Sequence, residues 1–170
     1  MSQVNTIFIV DDDTTQTTML KDHLSKFPAF TLHVFNTGEE CLKNLDLNPQ
    51  IIFLDYNFEL QNAMNGIDVL KKIKETKPEI EVVMLSGQDK IQVAVNTIKY
   101  GAFDYIVKSE SAFLRSERVI FNIIKSLKLE GERNLYKKLT YALAITMIIT
   151  FIVLIIVFKM GYIATYPTSL

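Results

Sequence analysis

The sequence predicts an α/β fold: a doubly wound, five-stranded parallel sheet flanked by helices, followed by one C-terminal transmembrane helix. Five short apolar runs alternate with helical patterns, as the strands and crossovers of a parallel sheet do. Four of those runs end in polar groups, at the strand ends where open parallel sheets bind their ligands. Residues 139–158 (LTYALAITMIITFIVLIIVF) carry no charge at all.

The runs are TIFIV (6–10), TLHVF (31–35), IIFL (51–54), VVML (82–85) and YIV (105–107), each about the length of a buried strand. Met19, Leu20, Leu24 and Phe27 mark a first helix, and residues 38–45 form a second. A third is marked by Val69, Leu70 and Ile73, and a fourth by Ile91, Val95 and Ile98. The fifth begins near Ser109, whose hydroxyl is placed to cap it, and carries Phe113, Leu114, Val119, Ile120, Ile123 and Ile124. The stretch SLKLEGERNLYKK (126–138) is rich in helix formers with a single glycine, so the fifth helix is expected to continue toward the bilayer with a break at Gly131.

At 1.5 Å rise per residue the uncharged segment is about 30 Å long, which matches the hydrocarbon core of a bilayer. A buried core helix of that length keeps a polar stripe, whereas only Thr140, Tyr141, Thr146 and Thr150 interrupt this one. The N-terminal MSQVNTIFIVDDD has neither a basic region nor a cleavage site, so the C-terminal segment reads as a retained anchor. Lys125, Lys128, Arg133, Lys137 and Lys138 precede it and a lone Lys159 follows, which places the N-terminal part in the cytoplasm and residues 159–170 outside. Tyr141 and Tyr162 fall near the two interfaces. Ala142, Thr146 and Thr150 recur every four residues, a small-residue face on which a second anchor can pack to give a homodimer. The threonine hydroxyls have an alternative, bonding to carbonyls of their own preceding turn.

The division expected is a domain over 1–127, a basic helical linker over 128–138, a transmembrane helix over 139–158 and a short extracytoplasmic tail over 159–170. The first 114 residues hold 16 acids and 10 bases, while residues 115–138 reverse this to 7 bases and 3 acids, as suits an approach to an anionic lipid surface. The single cysteine, Cys41, excludes an internal disulfide and reads as a small buried apolar residue. His23 and His33 fall within a helix and a strand and read as structural.

The chemistry gathers at the strand ends: Asp11, Asp12 and Asp13 after the first strand, Asp55 after the third, Ser86 after the fourth and Lys108 after the fifth. Clustered carboxylates repel one another unless a cation neutralises them, and hard oxygen ligands suit Mg²⁺. A lysine and a hydroxyl added to that set can surround a phosphoryl group, and one carboxylate can act as nucleophile to form an acyl phosphate.

IFIVDDD, IIFLDYN, VVMLSG and GAFDYIVK, in this order and at these spacings, resemble the receiver domain of two-component response regulators, the CheY-like family, over about residues 5–127. The resemblance implies a flavodoxin-like receiver fold in which Asp55 accepts phosphorus from a histidine kinase or histidine phosphotransfer protein. It implies that Asp11 and Asp12 organise Mg²⁺ together with Asp55 and the backbone carbonyl of Asn57. Ser86 corresponds to the hydroxyl that meets the phosphoryl group, Tyr105 to the aromatic switch and Lys108 to the phosphoryl-pairing lysine. Asp13, where the family varies, reads as solvated or helix-capping. The chain departs from the family where Ser109 replaces the usual proline, and where ten residues separate Asp55 from Gly66, so that FELQNAMN (58–65) is expected to form a longer flap.

The sequence shows no glycine-rich phosphate loop, and adjacent Asp11 and Asp12 do not offer the flanking geometry of a glycosidase pair. No DNA-binding or enzymatic module follows the receiver pattern, so neither nucleic acid nor an enzymatic activity is expected. The function that emerges is a membrane-tethered, stand-alone, phosphorylation-dependent switch in the bacterial inner membrane, acting through protein contacts. The alternatives are a phosphoryl reservoir and a phosphorylation-independent scaffold.

Overall fold

The computed structural model describes residues 6–58, 64–87 and 91–165. Strands β1 (Thr6–Val10), β2 (Thr31–Phe35), β3 (Ile51–Asp55), β4 (Glu81–Ser86) and β5 (Asp104–Val107) alternate with helices. The helices are α1 (Thr14–Leu24), α2 (Gly38–Lys43), α3 (Gly66–Thr76), α4 (Ile91–Lys99) and α5 (Ala112–Thr165), with a 3-10 turn at Leu45–Leu47 after α2. The strands form one parallel sheet in the order β2-β1-β3-β4-β5. Residues 1–125 and 126–170 form two compact units.

In the sheet, Ile7 pairs with Ile51, Phe8 with Ile52 and Val10 with Leu54, and β1 and β3 are buried along almost their whole length. That burial is why these strands read as continuous apolar runs. Phe8, Ile52, Leu54, Val69, Leu70, Ile73 and Met84 form one core cluster, with Cys41 inside it. Burial there pushes the Cys41 thiol up to about 12, which leaves it an inert apolar filler.

Local side chains set the helix starts. Asp13 caps α1 by accepting the amides of Thr15 and Gln16, Thr37 caps α2 and Asn65 caps α3. The helix-capping role expected of Asp13 is therefore present. Ser109 does not cap α5: the helix begins at Ala112, whose amide donates to the Ser109 carbonyl, while the Ser109 hydroxyl lies 3.2 Å from that of Ser111.

The fourth helix forms where its apolar pattern marks it, but with that pattern facing outward. Ile91, Val95 and Ile98 are 82%, 53% and 48% exposed, and the fully buried residue is Thr97. Thr97 can turn inward because its hydroxyl donates to the Val93 carbonyl at 2.7 Å, so no polar atom is left bare. Met19 and Leu114 are likewise exposed, and Phe27 lies beyond the end of α1, where its ring sits 5.9 Å from that of Phe30 and 6.1 Å from that of Phe121. The two histidines have structural contacts. His23 lies 2.8 Å from Glu117, and the His33 ring meets Phe8 edge-on.

No break occurs at Gly131, because α5 runs unbroken from Ala112 to Thr165. A single glycine costs a helix only about 1 kcal/mol, too little to interrupt a ladder whose neighbours all favour it. Residues 139–158 lie within this helix and are exposed, and by length and composition the helix can cross a membrane. The Thr146 and Thr150 hydroxyls donate to the Leu143 and Met147 carbonyls at 2.8 Å, the intrahelical alternative. Residues 59–63 of the expected flap, the side chain of Tyr162 and residues 166–170 of the expected tail lie outside the described residues.

Candidate functional site

The sheet brings the strand ends to one place. β1 delivers Asp11, whose amide donates to the Phe35 carbonyl at 3.1 Å and so locks the end of β1 to β2. β3 ends in Asp55, followed by Tyr56, whose amide donates to the Leu85 carbonyl of β4. β4 ends in Ser86, whose carbonyl accepts the Lys108 amide at 2.7 Å. Backbone bonds between neighbouring strands thus fix the side chains before any of them interact. Asp55 and Ser86 are the last residues of their strands rather than the first of the loops.

Asp11, Asp55 and Ser86 are buried, at 1%, 3% and 1% exposure. Lys108 joins the two acids: its Nζ lies 2.6 Å from Asp11 Oδ2 and 2.6 Å from Asp55 Oδ1. The remaining carboxylate oxygens are also used. Asp11 Oδ1 accepts the Asp13 amide at 3.0 Å, and Asp55 Oδ2 accepts the Asn57 amide at 3.1 Å. Asp12, half-buried, completes a group with Asp11 and Asp55 whose ligand oxygens lie within 4.8 Å of one another.

Burial pushes the Asp55 carboxyl up to about 6; the hydrogen bond and charge of Lys108 pull it down, and the charges of Asp11 and Asp12 push it up. Burial pulls the Lys108 ammonium down, but its bonds to Asp11 and Asp55 outweigh this and leave it above its ordinary value. Three carboxylates against one ammonium leave two formal negative charges in a largely buried site. That surplus and the all-oxygen donor set fit a divalent hard cation.

Of the other expected site residues, Tyr105 is buried in the core cluster on β5, next to Met84 in register, and its amide donates to the Asp104 carboxylate at 2.7 Å. Asn57 is exposed beside the site, held through its amide. The sequence reading missed Gly66. A Cβ there would stand 2.1 Å from the Asp55 carbonyl oxygen and 2.9 Å from Tyr56 Cα, so α3 can begin against the end of β3 only with glycine. The signal available was a lone glycine just after the Asn65 cap.

This chain matches the response regulator receiver domain over residues 7–116. It belongs to that family. Receiver domains are phosphorylated on aspartate in two-component signalling, interact with histidine kinases or phosphotransfer proteins, and bind Mg²⁺ at an acidic pocket; this receiver carries such an aspartate cluster. It is 32% identical over 103 residues to the chemotaxis protein CheY of Thermotoga maritima, covering 60% of this chain and 83% of that one. It superposes with a TM-score of 0.68 at 25% identity on the signal receiver domain of a LuxO repressor protein from Vibrio parahaemolyticus, over 76% of this chain and 96% of that one. A CheX–CheY–BeF₃–Mg²⁺ complex from Borrelia burgdorferi matches with a TM-score of 0.62 at 25% identity, over 70% of this chain and 88% of that one. Other curated relatives are longer, and the receiver spans only 20% to 40% of their length.

Proposed function

We propose that this receiver takes a phosphoryl group on Asp55 and acts as a switch at a membrane. The observation that carries the reading is Lys108 Nζ at 2.6 Å from both Asp11 and Asp55 in a buried acidic site. An Asp55 oxygen forms the new O–P bond as the P–N bond of a donor phosphohistidine breaks, and the departing imidazole takes up a proton. Ionised Asp55 is the nucleophile, and Lys108 is placed to meet an oxygen of the incoming group. Ser86, at the end of the adjacent strand, is placed to hydrogen-bond a second oxygen.

Asp11, Asp12 and Asp55, with the Asn57 carbonyl, would hold Mg²⁺, which lowers the repulsion between the anionic donor and the carboxylates. The Mg²⁺ of the similar CheX–CheY complex supports that choice of ion. Tyr105, on the strand leading to Lys108, is assigned the conformational response.

The exposed ridge of Ile91, Val95 and Ile98 on α4 supports an output surface for a protein partner or a second phosphorylated copy. Residues 1–127 are taken as the cytoplasmic receiver, 128–138 as its linker, 139–158 as a single span of the inner membrane and 159–170 as an external tail. The chain then works through contacts, with no chemistry beyond its own phosphorylation and dephosphorylation.

Incubation of the full chain with a small phosphodonor or a kinase in Mg²⁺ tests the site. Label should appear in the parent and be absent in Asp55→Asn, and Asp12→Ala should weaken Mg²⁺ binding. Label persisting in Asp55→Asn moves the acceptor elsewhere.

A further inference from the structure

The end of the linker nearest the apolar span carries exposed basic side chains that form no ion pair among the described residues. Arg133, Lys137 and Lys138 are all exposed, and no acid among the described residues lies within ion-pair distance of any of them. After Glu132 the sequence contains no acid at all. Their unbroken helix fixes their height relative to the uncharged stretch that begins at Leu139. At 1.5 Å per residue, Lys138 and Lys137 stand about 1.5 and 3 Å before that point, and Arg133 about 9 Å.

Those heights match a particular layer. The polar headgroup region adds roughly 5–8 Å on each side of the hydrocarbon core. Lys137 and Lys138 fall inside it, and the long Arg133 side chain spans the remaining gap. Glu132, Glu130 and Lys128 begin about 10, 13 and 16 Å out, beyond the layer. Arg133, Lys137 and Tyr141 also recur every four residues, so two bases and an interfacial tyrosine share one helix face.

We infer that Arg133, Lys137 and Lys138 form a binding surface for the phosphate of anionic phospholipids in the leaflet that faces the receiver. The inference rests on the proposed membrane span and adds a lipid preference to it. Two bases at headgroup height and a third within side-chain reach of it, with no ion pair among the described residues and no acid between them, complement an anionic phosphate and gain little from a zwitterionic headgroup, whose own ammonium cancels its charge. Each such base contributes about a fivefold gain in association with an anionic surface at low salt.

The test reconstitutes the full chain in bilayers holding trace spin-labelled phosphatidylglycerol or phosphatidylcholine and measures the immobilised fraction of each lipid. The expected result is a preference for phosphatidylglycerol of about fivefold or more at low salt, falling below about twofold in roughly 0.5 M salt and in the R133Q/K137Q/K138Q variant. K128Q, which lies beyond the layer, should leave the preference within about a factor of two. Equal immobilisation of both lipids by the parent overturns the inference while leaving the span intact. An equal loss in K128Q also overturns it, since the preference then comes from diffuse charge. If neither lipid is immobilised, the span itself is absent and both readings fall.

Discussion

Replacing Asp55 with asparagine should make the metal-free receiver more stable at pH 8, although it removes the proposed phosphoacceptor. Burial raises the Asp55 carboxyl from 3.8 to about 6. A tenfold change in a proton-binding constant is worth about 1.4 kcal/mol, so ionising this group in the folded state costs about 3 kcal/mol. The favourable contact with Lys108 is already included in that value, and the substitution still leaves Lys108 its 2.6 Å partner Asp11. Because the folded value is raised, the stability linked to the protonated form is complete below about pH 4. It is lost as pH climbs through about 6, where the unfolded chain has long been ionised. Asparagine imitates the protonated form at every pH. The variant should therefore match the parent near pH 4 and exceed it at pH 8 by about 3 kcal/mol, or roughly 10 °C in melting temperature for a unit of this size.

Calorimetric melting of the detergent-solubilised full chain in EDTA, at both pH values, provides the measurement. Saturating Mg²⁺ should then return about 2.7 kcal/mol to the parent at a hundredfold excess over its dissociation constant, and less to the variant. A variant no more stable than the parent at pH 8, or equally stabilised at pH 4, would refute the argument that burial and the neighbouring acids strain Asp55.

Other outcomes follow from single positions and from the span. Gly66→Ala should destabilise the receiver by more than about 2 kcal/mol, because the new Cβ meets the Asp55 carbonyl at 2.1 Å and backbone must move; a melting temperature within about 2 °C of the parent would contradict this. Gly131→Ala should stabilise the helix by about 1 kcal/mol at that site, since a Cβ added there would meet nothing within 4 Å and the helix is continuous there. Slower amide exchange across residues 126–138 is the readout, and unchanged exchange would argue for a break. The full chain should resist carbonate extraction while a chain ending at Lys138 is soluble, and protease outside intact cells should spare the receiver. Digestion of the receiver there would reverse the orientation.

The sequence by itself determined the five strands almost to the residue, since short apolar runs set between helical patterns mark them, most plainly in β1 and β3, which are buried along almost their whole length. It also marked Asp11, Asp12, Asp55, Ser86 and Lys108, because polar residues that directly follow a buried apolar run stand at the strand ends where parallel sheets bind their ligands. The uncharged stretch of residues 139–158 was equally legible, as length and apolarity are properties of composition. Tertiary structure decided what depends on packing between distant segments. Ile91, Val95 and Ile98 have helical spacing that implies burial, yet the fold turns Thr97 inward, and only the neighbours of α4 settle which face is covered. Gly66 carries no chemistry of its own, and its necessity appears only when α3 is seen to start against the Asp55 carbonyl. Gly131 looked like a break because local preference was read alone, whereas cooperative hydrogen bonding along α5 carries the helix through it. The raised carboxyl of Asp55 belongs to the same class: an isolated aspartate ionises near 4, and only burial beside two other acids moves it toward neutrality.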